Sequence, residues 1–312
     1  MPNVLRNTRV AIIGFGEVGG IFGNDFAKQG VEVSIFDILL HSERHRQQMM
    51  TKVEACGVKA EDTLSDCLRN ADLIISAVTA SSAVDVAEEA GPVLHGKQVF
   101  LDLNSVSPDT KRKAAACIEH DKSDNGAAHF VEAAVMAAVP RRRLKVPMLL
   151  GGRHAAAASE WLRSLGMNAT ALSDQVGVAS AVKMCRSVMI KGLEALAVEC
   201  LFAARQYGAE DAVLESLAAT YPDMGWKDQL PDYLIRRVAE HGQRRAAELR
   251  EVAQTLQGVA VEPTMSLAAA QRQEQLVCEM AEQDLGLPPS ESFSWRSLAD
   301  ALLRRRQPRL AG

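Results

Sequence analysis

Three glycines near the start of the chain are spaced to bind the phosphates of a dinucleotide. The segment Gly14-Phe15-Gly16-Glu17-Val18-Gly19 follows an apolar run at 9–13 and opens a helix-compatible stretch that ends near Gly30. In such a strand–turn–helix unit the first glycine permits a tight turn, the second admits a pyrophosphate and the third lets the helix pack on the strand. Residues 14–19 are therefore predicted to bind a dinucleotide at a helix N-terminus. The alternative is an ordinary glycine-rich turn.

A single carboxylate stands where such a unit would bind the adenosine ribose. Residues 31–36 are predicted to form the second strand, and Asp37 closes it 18 residues after Gly19. A carboxylate there accepts hydrogen bonds from both ribose hydroxyls and repels a 2′-phosphate, which favours NAD over NADP. Arg44 and Arg46 lie close enough in sequence to leave NADP possible. A helix cap or a solvated loop acid is the alternative for Asp37.

Two further predicted strands, 72–78 and 98–103, end in residues suited to ligand contact. Ligands of a doubly wound sheet bind beyond the carboxyl ends of its strands. The residues at these ends are Val78, Thr79, Asn104 and Ser105. Val78, Thr79 and Asn104 are expected to lie near the cofactor. Asn104 and Ser105 are expected to hydrogen-bond a carboxylate or hydroxyl of the substrate, while Ser107 is expected to cap the next helix.

A long helical pattern from about 177 to 207 carries a stripe of cationic and polar residues. Its members, spaced i, i+3, i+4 and i+8, are Lys183, Arg186, Ser187 and Lys191. Residues at these spacings share one helix face. A cationic stripe on an otherwise apolar helix favours an anionic substrate, with Lys183 exchanging a hydroxyl proton while hydride leaves the carbon. Simple exposure to solvent is the alternative.

A second polar helix face occurs in the segment 241–248. There His241 and Arg245 could bind the anionic group of a substrate. The alternative is a solvated helix face stabilised by salt bridges.

The order of apolar segments predicts two domains. Strand candidates at 9–13, 31–36, 58–59, 72–78, 98–103, 129–135, 146–150 and 168–172 alternate with helical patterns. This alternation is typical of an α/β fold with a doubly wound parallel sheet. Beyond it the helices predicted are 177–207, 209–220, 231–256, 263–284 and 290–305. We therefore predict a nucleotide-binding domain at 1–175 and an all-helical domain at 176–312, joined by the long helix.

Composition excludes several classes of partner. The net charge is −4 and the pI is near 6.0, so no global basic field favours nucleic acid. No apolar run reaches the roughly 18 residues of a membrane span. Six scattered cysteines without a C-x-x-C pair favour reduced thiols in the cytoplasm, and no metal site is expected.

These motifs together resemble the β-hydroxyacid dehydrogenase superfamily, which includes 3-hydroxyisobutyrate dehydrogenases and 6-phosphogluconate dehydrogenase. The resemblance rests on the glycine motif, on the D-x-[SN]-[ST]-x-x-P-like segment Asp102 to Pro108, and on the G-x-G-x-x-x-K-like pattern formed by Gly177, Ala179 and Lys183. It implies a Rossmann-type domain, an all-helical C-terminal domain, and homodimers that share helices. It also implies that Lys183 is the general acid/base.

Three departures from the superfamily pattern affect the expected chemistry. Arg186 or Ser187 replaces the asparagine that follows the lysine, and Met136-Ala137-Ala138 replaces the S-G-G substrate loop. Ile190 stands where the decarboxylating sugar-phosphate branch has a glutamate. The expected activity is hydride transfer between a nicotinamide and a small carboxylate-bearing β-hydroxy acid, without acid-assisted decarboxylation. A cofactor-binding regulator without turnover and an imine reductase-like enzyme are the alternatives, although Lys183 argues against the latter.

Overall fold

The computed structural model describes residues 8–96, 98–120 and 126–304. Its internal contacts divide the chain into an N-terminal unit, Met1–Lys183, and a C-terminal unit, Met184–Gly312. The division falls inside one helix, later in the chain than residues 175–176.

In the described part of the N-terminal unit, eight strands form one sheet in the order β3-β2-β1-β4-β5-β6-β7-β8. The strands are β1 Arg9–Ile13, β2 Glu32–Phe36, β3 Lys59–Ala60, β4 Leu73–Ser76, β5 Val99–Asp102, β6 His129–Val135, β7 Pro147–Gly151 and β8 Asn168–Ser173. Alternate residues of β1 enter different apolar cores, Val10 and Ile12 on one side and Ala11 and Ile13 on the other. The sheet is therefore covered on both faces, as the predicted doubly wound fold requires.

One pair of strands departs from the parallel arrangement. β6 and β7 run antiparallel, with Glu132 opposite Gly151. A parallel crossover usually needs a dozen or more residues and a full helix, whereas only residues 136–146 join these strands. The predicted fold class is confirmed, with a sheet that is mostly rather than wholly parallel.

Helices connect most of the strands. They are α1 Glu17–Lys28, α2 Arg46–Cys56, α3 Leu64–Leu68, α4 Ala83–Ala90, α5 Pro108–Ile118, α6 Val139–Arg142 and α7 Ala155–Ser164. The Ser107 side chain accepts a hydrogen bond from the Thr110 N–H, and Pro108 occupies the first turn of α5. Ser107 is thus the predicted helix cap.

The long helix predicted at 177–207 is α8, Val178–Gln206. It is followed in the C-terminal unit by α9 Glu210–Thr220, α10 Leu230–Gln257, α11 Thr264–Glu282 and α12 Trp295–Arg304. Trp226, Ile235 and Trp295 lie in the apolar core of this unit. Gly242 lets α10 approach α11, because a Cβ there would lie 2.7 Å from the carbonyl oxygen of Gln273.

The predicted start of the last helix at residue 290 is wrong. Residues Ser290–Ser292 form a short 3-10 turn, and α12 begins at Trp295, whose N–H donates to Asp232 at 2.7 Å. This long-range cap fixes the helix start. Residue 305, its predicted end, lies outside the described residues.

Within the described ranges, none of the helices combines the length and apolar character needed to cross a bilayer.

Candidate functional site

The glycine motif forms the turn between β1 and α1. Gly14 has a φ of +87°, and its N–H donates to the Phe36 carbonyl at 2.9 Å. Gly19 packs so closely that a Cβ on it would clash with the Gly14 carbonyl oxygen. At Gly16, by contrast, no atom of the described residues other than Gly16 and its two chain neighbours lies within 4 Å of where a Cβ would stand. The first and third glycines therefore close the turn, while the second leaves open space that fits a pyrophosphate.

Asp37 is held against this turn. Its Oδ2 accepts the Phe15 N–H at 2.7 Å and its Oδ1 accepts the Leu39 N–H at 2.9 Å, so it also caps the short 3-10 helix Ile38–His41. The side chain stays partly exposed. Capping and ribose binding are compatible, because each carboxylate oxygen can accept a further hydrogen bond.

A lysine that belongs to no recognised sequence motif also contacts the turn. Lys52 of α2 donates to the carbonyls of Phe15 and Gly16, each at 2.6 Å. The one sequence signal was Gly20, an extra glycine directly after the motif. A glycine in a helix can indicate that a side chain from another element, here Lys52, packs against the helix backbone.

Asn104 connects the carboxyl ends of β4 and β5. Its Oδ1 accepts the Val78 N–H at 2.8 Å and its Nδ2 donates to Ser76 at 2.9 Å. The residue is only 4% exposed. Its neighbour Ser105 is half-buried, and Thr79 is exposed with its hydroxyl near those of Ser81 and Ser82. The structure thus brings Val78 and Asn104 together and fixes both.

A buried ion pair lies behind this strand end. The Nζ of Lys111 is 3.1 Å from Oδ1 of Asp102 and donates to the Asp102 carbonyl at 2.8 Å, with both side chains 1% exposed. Asp102 Oδ1 also accepts the Asn104 N–H at 2.8 Å. Asp102, the first residue of the segment Asp102 to Pro108, therefore stabilises the turn that presents Asn104 and Ser105.

Glu132 of β6, which the sequence did not single out, fixes the start of α8. It is fully buried, and its Oε1 accepts the N–H groups of Gly177 and Ala179 at 2.7 and 3.0 Å. Gly151 makes room for it, since a Cβ there would clash with the same oxygen. A carboxylate at a helix N-terminus satisfies free N–H groups and complements the helix dipole. Glu132 thereby positions the helix that carries Lys183.

The predicted cationic stripe on α8 differs in exposure along the helix. Lys183, in the N-terminal unit, is half-buried, whereas Arg186 is exposed. Ser187 and Lys191, in the C-terminal unit, are buried. The stripe is therefore not a uniformly solvated face.

Lys191 and Arg245 belong to a buried ionic cluster in the C-terminal unit. Lys191 Nζ lies 2.7 Å from a Glu248 carboxylate oxygen. Arg245 donates to Glu194 through Nε at 2.7 Å and through Nη2 at 2.5 Å. Burial lowers the pKa of Lys191 against the opposing effect of Glu248, and raises the pKa of Glu194 against that of Arg245. Both cations thus have carboxylate partners within the protein.

His241 lies on the same helix as Arg245 but remains one-third exposed. Partial burial lowers its pKa; Glu240 opposes this effect, and Arg244 and Arg237 add to it. Its imidazole is therefore favoured in the neutral form near pH 7.

Across the described residues, no three His, Cys, Asp or Glu side chains gather as a metal centre would require.

Two family models match this chain. Residues 9–171 match the NAD binding domain of 6-phosphogluconate dehydrogenase, and residues 204–276 match a domain of unknown function, DUF1932. The first match covers more than half of the chain. The chain therefore belongs to that nicotinamide-nucleotide-binding family. More particularly, it belongs to the β-hydroxyacid dehydrogenase-like superfamily, as its sequence motifs predict.

Individual relatives are similar to this chain over most of its length. An uncharacterized 28.5 kDa protein in the 7S RNA 5′ region of Methanothermus fervidus is 33% identical over 213 residues, which are 68% of this chain and 77% of that protein. The 3-hydroxyisobutyrate dehydrogenase of Pseudomonas aeruginosa is 24% identical over 305 residues, 94% of each chain. A conserved hypothetical protein from Sinorhizobium meliloti 1021 is 35% identical in sequence, and the match covers 96% of this chain and 98% of that protein's chain. Its crystal structure superposes on this one with a TM-score of 0.76.

Proposed function

We propose that this protein is an NAD-dependent oxidoreductase acting on a small carboxylate-bearing β-hydroxy acid. The observation that carries the proposal is the glycine turn with open space at Gly16, in a chain of a dehydrogenase-like superfamily that also has Lys183 near the start of α8. A bound nicotinamide supplies the hydride acceptor or donor. Lys183 accepts the hydroxyl proton during oxidation and returns it during reduction.

The other predicted substrate residues fall into two groups in this proposal. Ser105 and Arg186 are at least partly exposed, as is His241, and each can offer hydrogen bonds to a carboxylate or hydroxyl. The remaining residues are buried, which favours a structural role for each within its own unit over contact with the substrate; they are Asn104, Ser187, Lys191 and Arg245. For Arg245 the reason is energetic, since freeing it would remove two guanidinium hydrogen bonds from the buried Glu194 carboxylate.

NAD is the proposed cofactor because of Asp37. Its partly exposed carboxylate at the end of β2 can accept the ribose hydroxyls, and its negative charge opposes a 2′-phosphate. None of the six cysteines, all of which lie in the described ranges, forms a disulfide, which suits a reducing compartment, so the cytoplasm is the proposed location.

A panel of small hydroxy acids tests the proposal. We expect absorbance of reduced nicotinamide to rise with NAD and one or more carboxylate-bearing β-hydroxy acids, and the matching amides to react at least tenfold more slowly. Titration without substrate should show NAD binding at least tenfold tighter than NADP, a difference of about 1.4 kcal/mol. Tighter binding of NADP would contradict the role given to Asp37.

A regulator that binds cofactor without turnover is the second candidate, favoured by the altered loop after β6. Met136, Ala137 and Ala138 offer neither a side-chain hydroxyl nor the close backbone approach of paired glycines. Tight cofactor binding with no turnover across the panel would support the regulator. Reduction of cyclic imines in place of hydroxy-acid oxidation would instead support the imine reductase-like alternative.

We also propose that the protein is a homodimer through its helical domain. Exposed apolar residues recur along α8, among them Met189 at 74% and Leu196 at 54% exposure, seven positions apart. Two helical turns separate such residues, so they lie on one face that a second copy could cover.

Leu196→Glu tests the dimer. Burying the new carboxylate against a second copy is unfavourable, so we expect the mass in light scattering to fall from that of a dimer to that of a monomer, at unchanged helical content. Ala219→Glu places the same charge at an exposed site on α9 and should leave the mass unchanged. A wild-type protein that is already monomeric at micromolar concentration would refute the proposal.

A further inference from the structure

Lys52 makes an unusual contact at the dinucleotide-binding turn. Its ammonium group donates to the carbonyls of Phe15 and Gly16 and lies 5.0 Å from the centre of the Phe15 ring. The Gly16 carbonyl also accepts the N–H of Gly20, the first hydrogen bond of α1. Lys52 therefore binds the turn where the helix begins, although it is 36 residues away from Gly16 in sequence.

The sequence leaves room for this lysine. A Cβ on Gly20 would lie 2.6 Å from Cε and 2.8 Å from Nζ of Lys52. Glycine is a poor helix former, and Gly20 is the fourth residue of α1. Close passage of the Lys52 side chain explains why a glycine stands there.

The contact fixes the direction of two peptide groups. A trans peptide places its N–H opposite its carbonyl. With the Phe15 and Gly16 carbonyls turned toward Lys52, the N–H groups of Gly16 and Glu17 are turned away from it. These are N–H groups of the kind that bind phosphate at a helix N-terminus.

The charge of Lys52 points to an anion as well. A helix N-terminus carries the equivalent of about half a positive charge, so a lysine beside it is repelled. The two carbonyls offset part of this repulsion, and a bound pyrophosphate with two negative charges would turn it into attraction.

We propose that Lys52 holds the glycine turn in its phosphate-binding conformation and supplies positive charge to the pyrophosphate of the bound dinucleotide. The proposal depends on dinucleotide binding and not on the oxidoreductase activity proposed above. It makes Lys52 a positioning residue for the cofactor, with no part in hydride or proton transfer.

Calorimetric titration of the apoprotein with NAD tests this role. Lys52→Met keeps the length of the side chain and removes its charge, and we expect it to raise the dissociation constant for NAD about tenfold. Raising NaCl from about 0.05 to about 0.5 M should weaken binding less in K52M than in wild type, because an ionic attraction has been removed. Lys28→Met removes an exposed charge at the far end of α1 and should change neither quantity.

Gly20→Ala supplies an independent test through the same contact. The added methyl should displace Lys52, so G20A alone should weaken NAD binding about as much as K52M. The double variant should bind NAD like either single variant, since two changes that remove one interaction do not add. A dissociation constant about a hundredfold above wild type in the double variant would show that the two positions act separately, and would overturn the proposal.

Two further outcomes are distinguishable. Unchanged NAD affinity in a folded K52M protein would overturn the role of Lys52 and leave the proposed oxidoreductase untouched. Tenfold weaker NAD binding in K52M, in a wild-type protein that turns over no substrate, would support Lys52 while refuting the oxidoreductase. If K52M fails to fold, G20A and Lys52→Gln provide the same comparison.

Discussion

Replacing Lys183 with alanine is expected to lower kcat by about a thousandfold while changing the dissociation constant for NAD less than about twofold. General acid–base catalysis by one side chain contributes roughly 10²–10⁴ to a rate. Lys183 lies near the start of α8 and outside the glycine turn that is proposed to bind the nucleotide. Its loss should therefore affect proton transfer and leave cofactor binding intact. Stopped-flow rates and NAD titrations measure the two quantities.

Lys183→Arg is the matched control for charge. Arginine preserves the positive charge but does not release its proton at accessible pH. If Lys183 exchanges the hydroxyl proton, K183R should be as slow as K183A while its KM for substrate stays closer to that of the wild type. Turnover near the wild-type rate in either variant would contradict the assignment.

Gly19→Ala is expected to weaken nucleotide binding severely and to lower the melting temperature. Its Cβ would clash with the Gly14 carbonyl oxygen, and neither atom can move away by rotation of a side chain. Relief of such a clash requires the turn between β1 and α1 to open, and overpacking of this kind typically costs about 1–3 kcal/mol. The dissociation constant for NAD should rise more than about a hundredfold.

Gly16→Ala separates binding from folding in the same turn. The space around Gly16 is open and its φ is −69°, so alanine fits the apoprotein. We expect G16A to keep the wild-type melting temperature yet lose affinity for NAD, because the methyl group occupies the space proposed for pyrophosphate. Wild-type affinity in G16A would place the phosphates elsewhere.

Local patterns were sufficient to predict the strands, the glycine turn and the long helix. Each depends on residues close together in sequence, such as the alternation of apolar segments and the spacing of Gly14, Gly16 and Gly19. The antiparallel β6–β7 pair was missed because strand direction depends on the length of the connection at 136–146, and not on the strands themselves.

The residues that sequence reasoning missed act through long-range contacts with the backbone. Lys52 binds carbonyls of residues 15 and 16, and Glu132 binds N–H groups of residues 177 and 179. No motif identifies a side chain whose partner is the main chain of a distant segment. Gly20 and Gly151 were the available signals, since each glycine leaves space for one of these side chains.

The spacing of cations predicted a shared face but not its surroundings. In sequence, Lys191 and Arg245 fit an anion-binding helix face. They fit equally well a buried cluster in which the carboxylates of Glu248 and Glu194 are their partners. Deciding between them requires knowing where Glu248 and Glu194 lie, which depends on how α8 packs against α10 in the C-terminal unit.

The close packing around the Glu132 carboxylate limits which amino-acid substitutions this sequence can accept during evolution. A methyl group added at Gly151 would displace the Glu132 carboxylate. A shorter side chain at position 132 would leave the N–H groups of Gly177 and Ala179 without this acceptor. A Cβ at Gly177, which has a φ of +104°, would lie 2.5 Å from Arg112. Positions 132 and 151 therefore constrain each other, and a substitution that persists at one of them should be accompanied by a compensating change at the other, whereas position 177 is constrained separately by its backbone conformation and by Arg112.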